Sequence, residues 1–230
     1  MSTKTATFSH DIGNLIKDLS GPSYITTNFS PLGIDSLIVL SGVFRPDKSY
    51  LAGYLARVLK NQKDLYSQKN VLDLGCGCGL LGTICALNGS RLTCFGDVNP
   101  LAIKNAKLNS ILLDLVGTSF YCGSLFENNI FGEKFDLVVF NPPSIPGVPA
   151  NNSEAALIRE DEIIKSFYDL VPSFLQKNGC VIMPGSSRFD SDMSPINMAR
   201  KFNLKHEIID REEEDDGNFK YVILIRPDML

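Results

Sequence analysis

The sequence predicts a doubly wound α/β domain, and three observations carry that reading. Short apolar runs rich in β-branched residues alternate with helix-like runs through the middle of the chain. A glycine-rich turn, VLDLGCGCGLLG, joins the first of these strands to a helix, and the apolar run DLVVF stops abruptly at Asn-Pro-Pro. Strand and helix repeated in alternation build a parallel sheet through right-handed crossovers, with helices on both faces. At 230 residues, 44% of them hydrophobic, the chain can bury one sizeable core, so one large domain is expected rather than two small ones.

The first 45 residues form an N-terminal segment, read as a substrate-side element or lid on the domain spanning 46–230. Turn signals at SGPS and SPLG flank ITTNF, and IDSLIVLSGVF follows, a pattern that suits a β-hairpin lid or a short strand pair. SYLAGYLARVLKNQKDLY then places Leu51, Leu55, Val58 and Leu59 at helical spacing. Strands are expected over 70–75, 91–97, 119–123, 135–141 and 179–185. Helices between them are expected over 80–89, 100–115 and 154–179, the last closed by Gly179 as a C-cap.

The tail breaks the alternation. A helix over SPINMARKFN precedes LKHEIID and YVILIRP, two strands joined through REEEDDGN, and a link that short makes them antiparallel. The acidic run from Glu212 to Asp216 is expected to be the solvated tip of this hairpin.

A net charge of −4 gives no general attraction to phosphate backbones or anionic membranes. It favours a small-molecule or protein substrate, leaving nucleic acid to a local basic patch that the charge does not support. MSTKTATFSHDIG lacks the apolar core of a signal peptide and no run approaches membrane-spanning length, so a cytoplasmic protein without a membrane partner is expected. The six cysteines lie mostly in apolar or glycine-rich segments, which suits buried thiols and no structural disulfide. Cys76 and Cys78 have no second ligand pair, and the only histidines are His10 and His206, so no metal site is expected. His206 reads as a packed or surface histidine.

The chemistry begins at the glycine turn. Glycines let backbone approach a ligand at positive φ, and the helix that follows offers free N–H groups at its start. Gly77-x-Gly79-x-x-Gly82 also fits a dinucleotide fingerprint, but Asp73, two residues before Gly75, is placed to accept from an ammonium group. S-adenosylmethionine carries such a group and a nicotinamide dinucleotide does not. Asp97, at the end of the second strand, stands where an acidic side chain binds ribose hydroxyls; its alternative role is an ordinary helix-start residue beside Asn99 and Pro100. One βαβ unit after a glycine turn, the ribose role is the better reading.

Asn141 and Pro142 end the fourth strand beside the same crevice. The Asn141 amide oxygen and the Pro142 carbonyl are two fixed acceptors for a planar amino group, suited to aiming a nitrogen lone pair at an electrophilic methyl carbon. Simple strand termination by proline is the alternative, and Asp73, the glycine turn and Asp97 weigh against it.

Taken together, VLDLGCGCG, GDVNP, GSLFE and VVFNPPS resemble the class I S-adenosylmethionine-dependent methyltransferases, in the branch with an Asn-Pro-Pro-aromatic motif. That branch includes release-factor glutamine methyltransferases and adenine-N6 and guanine-N2 nucleic-acid methyltransferases. GVFRPDKSYLAGYLA is similar to the family's Gly-Val-Phe segment, and the resemblance covers roughly 42–227. It implies a Rossmann-like seven-stranded sheet, mostly parallel, whose antiparallel seventh strand lies in the C-terminal hairpin. It implies cofactor contacts from Asp73, Gly75, Cys76, Gly77, Gly79, Asp97, Val98, Ser124, Leu125 and Asn141, and a catalytic motif of Asn141, Pro142, Pro143 and Ser144.

Two positions depart from the family pattern. Ser124 stands where an acidic residue often faces the adenine amino group, and Ser144 replaces the aromatic residue that would stack on a planar acceptor. Phe44, Tyr24 and Phe29 are the candidate substitutes. The reading is an N-methyltransferase acting on a nitrogen of a small molecule or protein side chain. Its alternatives are a nucleic-acid base methyltransferase, a nicotinamide-dependent oxidoreductase and a noncatalytic cofactor-binding subunit.

Overall fold

The computed structural model describes residues 24–124, 134–150, 154–189 and 191–227. In chain order the elements begin with β1 (Tyr24–Phe29), β2 (Ile34–Leu40), α1 (Ala52–Asn61), β3 (Asn70–Leu74) and α2 (Leu80–Leu87). They continue with β4 (Leu92–Asp97), α3 (Pro100–Leu112), β5 (Thr118–Cys122), β6 (Phe135–Phe140), β7 (Ile145–Pro146) and β8 (Ile158–Arg159). The chain closes with α4 (Asp161–Phe174), β9 (Leu175–Ser186), α5 (Pro195–Lys201), β10 (Lys205–Glu213) and β11 (Phe219–Arg226).

Seven strands form one sheet in the order β10-β11-β9-β6-β3-β4-β5. The five from β9 to β5 are parallel, and β11 pairs antiparallel with both β9 and β10. The expected doubly wound sheet with its C-terminal antiparallel hairpin is therefore present. All five residues of β3 are buried, as a central parallel strand covered on both faces requires. Strand alternation divides the core: Val71, Leu137, Val139 and Ile182 pack with α1 and α2, while Leu72, Val138, Val181 and Met183 pack with α4 and α5.

The N-terminal hairpin β1–β2 joins this core instead of standing apart, with Ile34, Leu37 and Val39 buried among α1 and α2 side chains. Its free edge is satisfied by two buried asparagines of α3. Asn109 Oδ1 accepts from Ile38 N (2.9 Å) and Asn105 Oδ1 from Leu40 N (2.8 Å). Both Nδ2 groups donate to Ile38 O, at 2.8 Å from Asn105 and 2.7 Å from Asn109. At i and i+4 the two amides share one helix face and act as a surrogate strand.

Two expectations need correction. The helix foreseen over 154–179 is only Asp161–Phe174, because the chain first folds back to pair Ile145 and Pro146 with Ile158 and Arg159. Gly179 is not its C-cap but lies in β9, where a Cβ would stand 2.7 Å from Phe135 O; the glycine permits the close approach of β9 to β6. The acidic run does form the hairpin tip, with Glu213, Asp215 and Asp216 exposed, and some of its carboxylates are also paired. Strand alternation turns Glu212 and Glu214 to one face, where Glu212 pairs with Arg57 and with Lys220 (2.8 Å), and Glu214 with Tyr50 Oη and Arg188 (3.1 Å).

Among the described residues no helix is long and apolar enough to cross a membrane, and no cluster of His, Cys, Asp or Glu has the makings of a metal site. The six cysteines are free thiols, five of them buried and Cys122 exposed. His206 Nδ1 lies 3.2 Å from Leu204 O at a half-buried position.

The asparagine bridge sets a test. Asn109→Ala leaves the Ile38 N–H and the Cys78 carbonyl without that partner, and should lower the unfolding free energy by about 3 kcal/mol. Urea denaturation measures it, and a loss below about 1 kcal/mol would show that water replaces the amide at no structural cost.

Candidate active site

Three strands bring their last residues to one level. Leu74 of β3 is in register with Phe140 of β6 and Gly96 of β4, so Gly75, Asn141 and Asp97 emerge side by side at the carboxyl edge. Here the sheet order reverses: β4 and β5 lie on one side of β3 and β6 on the other, opening the crevice where doubly wound folds bind ligands.

The loop between β3 and α2 is held by carboxylates rather than by its own side chains. Asp73 is 1% exposed, and its Oδ2 accepts from Gly82 N across the loop at 2.8 Å. Asp97 Oδ2 accepts from Gly77 N (3.0 Å) and its Oδ1 from Asn99 N (2.9 Å). Gly79 is the α2 N-cap at φ +86°, and Ala106 Cβ would crowd any side chain there at 3.1 Å. A Cβ on Gly82 would collide with the Phe95 ring and stand 3.0 Å from Asp73 Oδ2. The glycines thus allow carboxylate, ring and loop backbone to meet.

Burial raises the Asp73 carboxyl from 3.8 to about 7; the Gly82 N–H opposes this and the Asp97 charge adds to it. Burial also raises Asp97, against the N–H donors of Asn99, Gly77 and Val98. Among the described residues, the Asp73 carboxyl has the Gly82 N–H of the loop as its hydrogen-bond partner. Cys76 and Cys78 are buried in the same loop, where burial pushes the Cys78 thiol up to about 12.

Asn141 is half-buried and makes no side-chain hydrogen bond to any described residue. Pro142, Pro143 and Ser144 follow, half-buried, before β7 pairs with β8. Val98 is 56% exposed beside Asp97, Ser124 is half-buried just beyond β5, and Leu125 lies outside the described residues. Of the three candidate aromatics, Phe29 sits at the turn end of the hairpin and packs against the core, away from the crevice. Tyr24 pairs with Leu40 at the open end and is exposed, and Phe44 follows Val43, which packs by Gly77.

Sequence reading missed the hairpin's share in this loop. Asn109 Nδ2 also donates to Cys78 O (2.9 Å), Asn99 Nδ2 to Gly42 O (3.4 Å), and Val43 packs by Gly77. Two asparagines four apart in an apolar helix were the available signal.

Residues 36–208 match the methyltransferase small domain family. The chain belongs to that family. It is an S-adenosylmethionine-dependent methyltransferase, and the nicotinamide alternative falls away. A chain of Methanocaldococcus jannaschii named as a protein N5-glutamine methyltransferase is 35% identical over 158 residues, covering 66% of this chain and 78% of that one. A release factor glutamine methyltransferase of Clostridium acetobutylicum is 32% identical over 165 residues, covering 70% of this chain and 52% of its own length. In fold, the chain is similar to a Thermus thermophilus 16S rRNA N2 G1207 methyltransferase (TM-score 0.65, 17% identity), over 89% of this chain and 50% of that one.

The residues fit the cofactor. A positive-φ loop, a helix start with no side-chain cap and a carboxylate one strand away put backbone donors and a carboxylate acceptor on one side of the crevice, the groups a cofactor with anionic and ribose parts needs.

The raised Asp73 carboxyl makes stability depend on pH. Between 3.8 and about 7 the folded chain holds the proton that the unfolded chain has lost, so unfolding free energy falls as pH rises through this window. From pH 5 to pH 8 this group should remove about 3 kcal/mol, and Asp73→Asn should abolish that share of the slope. Parallel urea titrations of both proteins at the two pH values check it; equal slopes would mean that Asp73 ionises normally.

Proposed function

We propose that this chain transfers a methyl group from S-adenosylmethionine to the side-chain amide nitrogen of a protein glutamine. One observation supports the reading: Asn141, followed by Pro142, leaves β6 level with Gly75 and Asp97, so the chain brings two hydrogen-bond acceptors to the edge where the glycine loop lies. The relative named for protein N5-glutamine methylation, matched over 78% of its length, supports the acceptor class.

When bound, S-adenosylmethionine supplies an electrophilic methyl carbon. The chain's own residues do the rest. Asp97 accepts from the ribose hydroxyls through lone pairs that Gly77 N and Asn99 N leave free. Asp73 keeps the glycine loop in its ligand-binding shape through Gly82 and acts through that loop. Asn141 Oδ1 and Pro142 O each accept one N–H of the acceptor amide, which fixes the plane of its NH2 and directs electron density on nitrogen toward the methyl carbon; as the nitrogen gains the methyl group it gives up one of these protons to solvent water. Pro142 and Pro143 hold these acceptors through ring-restricted φ. Ser144 offers no ring for a flipped base to stack upon, which favours a side-chain amide over a nucleobase.

The two halves of the site separate by mutation. Asp97→Ala should weaken S-adenosylmethionine binding in calorimetry by about tenfold to a hundredfold, the cost of one hydrogen bond to a charged group. Asn141→Ala should leave that binding intact and slow transfer by about a hundredfold or more. Full turnover in the Asn141 variant would reduce Asn-Pro-Pro to a strand stop.

The acceptor is tested with labelled S-adenosylmethionine offered in parallel to a purified release factor, total RNA, DNA and small metabolites. Label should appear on a glutamine of the release factor, mapped by mass spectrometry. Incorporation into RNA alone would move the acceptor to a base amine.

A further inference from the structure

The segment from Gly42 to Tyr50 has its two ends on opposite sides of the crevice. At one end, Gly42 O accepts from Asn99 Nδ2 and Val43 packs by Gly77, on the β3–β4 side. At the other, Tyr50 Oη donates to Glu214 Oε2 at the turn joining β10 to β11. Arg188, just past β9, places its guanidinium 5.7 Å from the Tyr50 ring centre and pairs with Glu214 at 3.1 Å. Lys220 Nζ lies 5.2 Å from the same ring.

Register places this second anchor at the carboxyl edge too. Val139 pairs with Ile182, so Asn141 is level with Pro184, and Ser186, opposite Lys220, lies two residues further out. Since β6 lies between β3 and β9, a segment anchored at Gly77 and at Arg188 passes across the end of β6, where Asn141 emerges. An internal ion pair between Arg45 and Asp47 (2.7 Å) and the buried Pro46 shape its middle, and Phe44 lies in the crossing part.

We infer that Tyr50 and Glu214 are positioning residues: they hold the 42–50 segment over the crevice mouth as a wall of the acceptor site, on the side that Ser144 leaves without a ring. This rests on the methyl-transfer reading above and adds residues to it that lie outside the cofactor and Asn-Pro-Pro motifs. The hydroxyl–carboxylate bond is charge-assisted and the paired cations stack on the ring, so the junction is strong for a half-exposed contact.

The test uses Tyr50→Phe, Glu214→Ala and the double variant, with a purified release factor as acceptor. Each single variant should raise KM for the release factor by about tenfold while kcat and S-adenosylmethionine affinity stay within about twofold. Glu214→Ala also removes the Arg188 pair, and the double variant should match it closely, because the Tyr50–Glu214 bond is already lost there. Hydrogen exchange should quicken about tenfold at the amides of 43–50 and stay unchanged in β3. Unchanged exchange at 43–50 in both single variants overturns the anchor. Quickened exchange with an unchanged KM overturns the positioning role. If the wild-type chain transfers no methyl to the release factor, the acceptor reading fails, and the exchange measurement alone decides whether Tyr50 and Glu214 hold the segment.

Discussion

The Asp73 carboxylate, buried at the end of β3 and bonded to Gly82 N, is the contact on which the crevice depends. A loop of Gly-Cys-Gly-Cys-Gly has few side chains able to fix its course, and its backbone is free to take many forms. Asp73 pins the loop at the helix side and Asp97 at its middle, each from a different strand. Both carboxyls are raised by burial, which is the cost of placing acceptors where water does not compete. Strand register then delivers Asn141 to the same level, so the two sides of the site are set by the sheet itself.

The N-terminal hairpin extends this arrangement. Asn109 reaches both β2 and the glycine loop, through Ile38 and through Cys78 O, so the hairpin and the cofactor side are tied by one buried amide. Charged residues do the equivalent on the opposite flank, where α1 and the residues before it meet β10 and β11. Tyr54 Oη donates to Asp210 (2.6 Å), and Arg57 and Lys220 share Glu212. An apolar contact holds elements together without fixing their register; these directional contacts fix it.

The fold was legible because central parallel strands leave an unmistakable pattern. NVLDL and FDLVVF are buried on both faces, and eight of their eleven residues are apolar. The limits of α4 were not legible, since EAALIREDEIIK has helix-forming composition throughout, and only the pairing of Ile158 and Arg159 with Ile145 and Pro146 keeps its first part extended. The acidic run was legible as the hairpin tip, but not its pairing, because the partners Arg57, Arg188 and Tyr50 lie far away in the chain.

By itself, the sequence determined the alternation of strands and helices, the glycine turn with Asp73, and the Asn-Pro-Pro stop, because these are local consequences of backbone conformation and burial. Their order along the chain was enough to reveal the family. Only the tertiary structure decided that Asn105 and Asn109 stand in for a strand and that Glu214 bonds Tyr50. Each of these joins residues distant in sequence through a hydrogen bond. Such a bond leaves no period in the chain, and its partner is chosen by which elements the sheet order brings together.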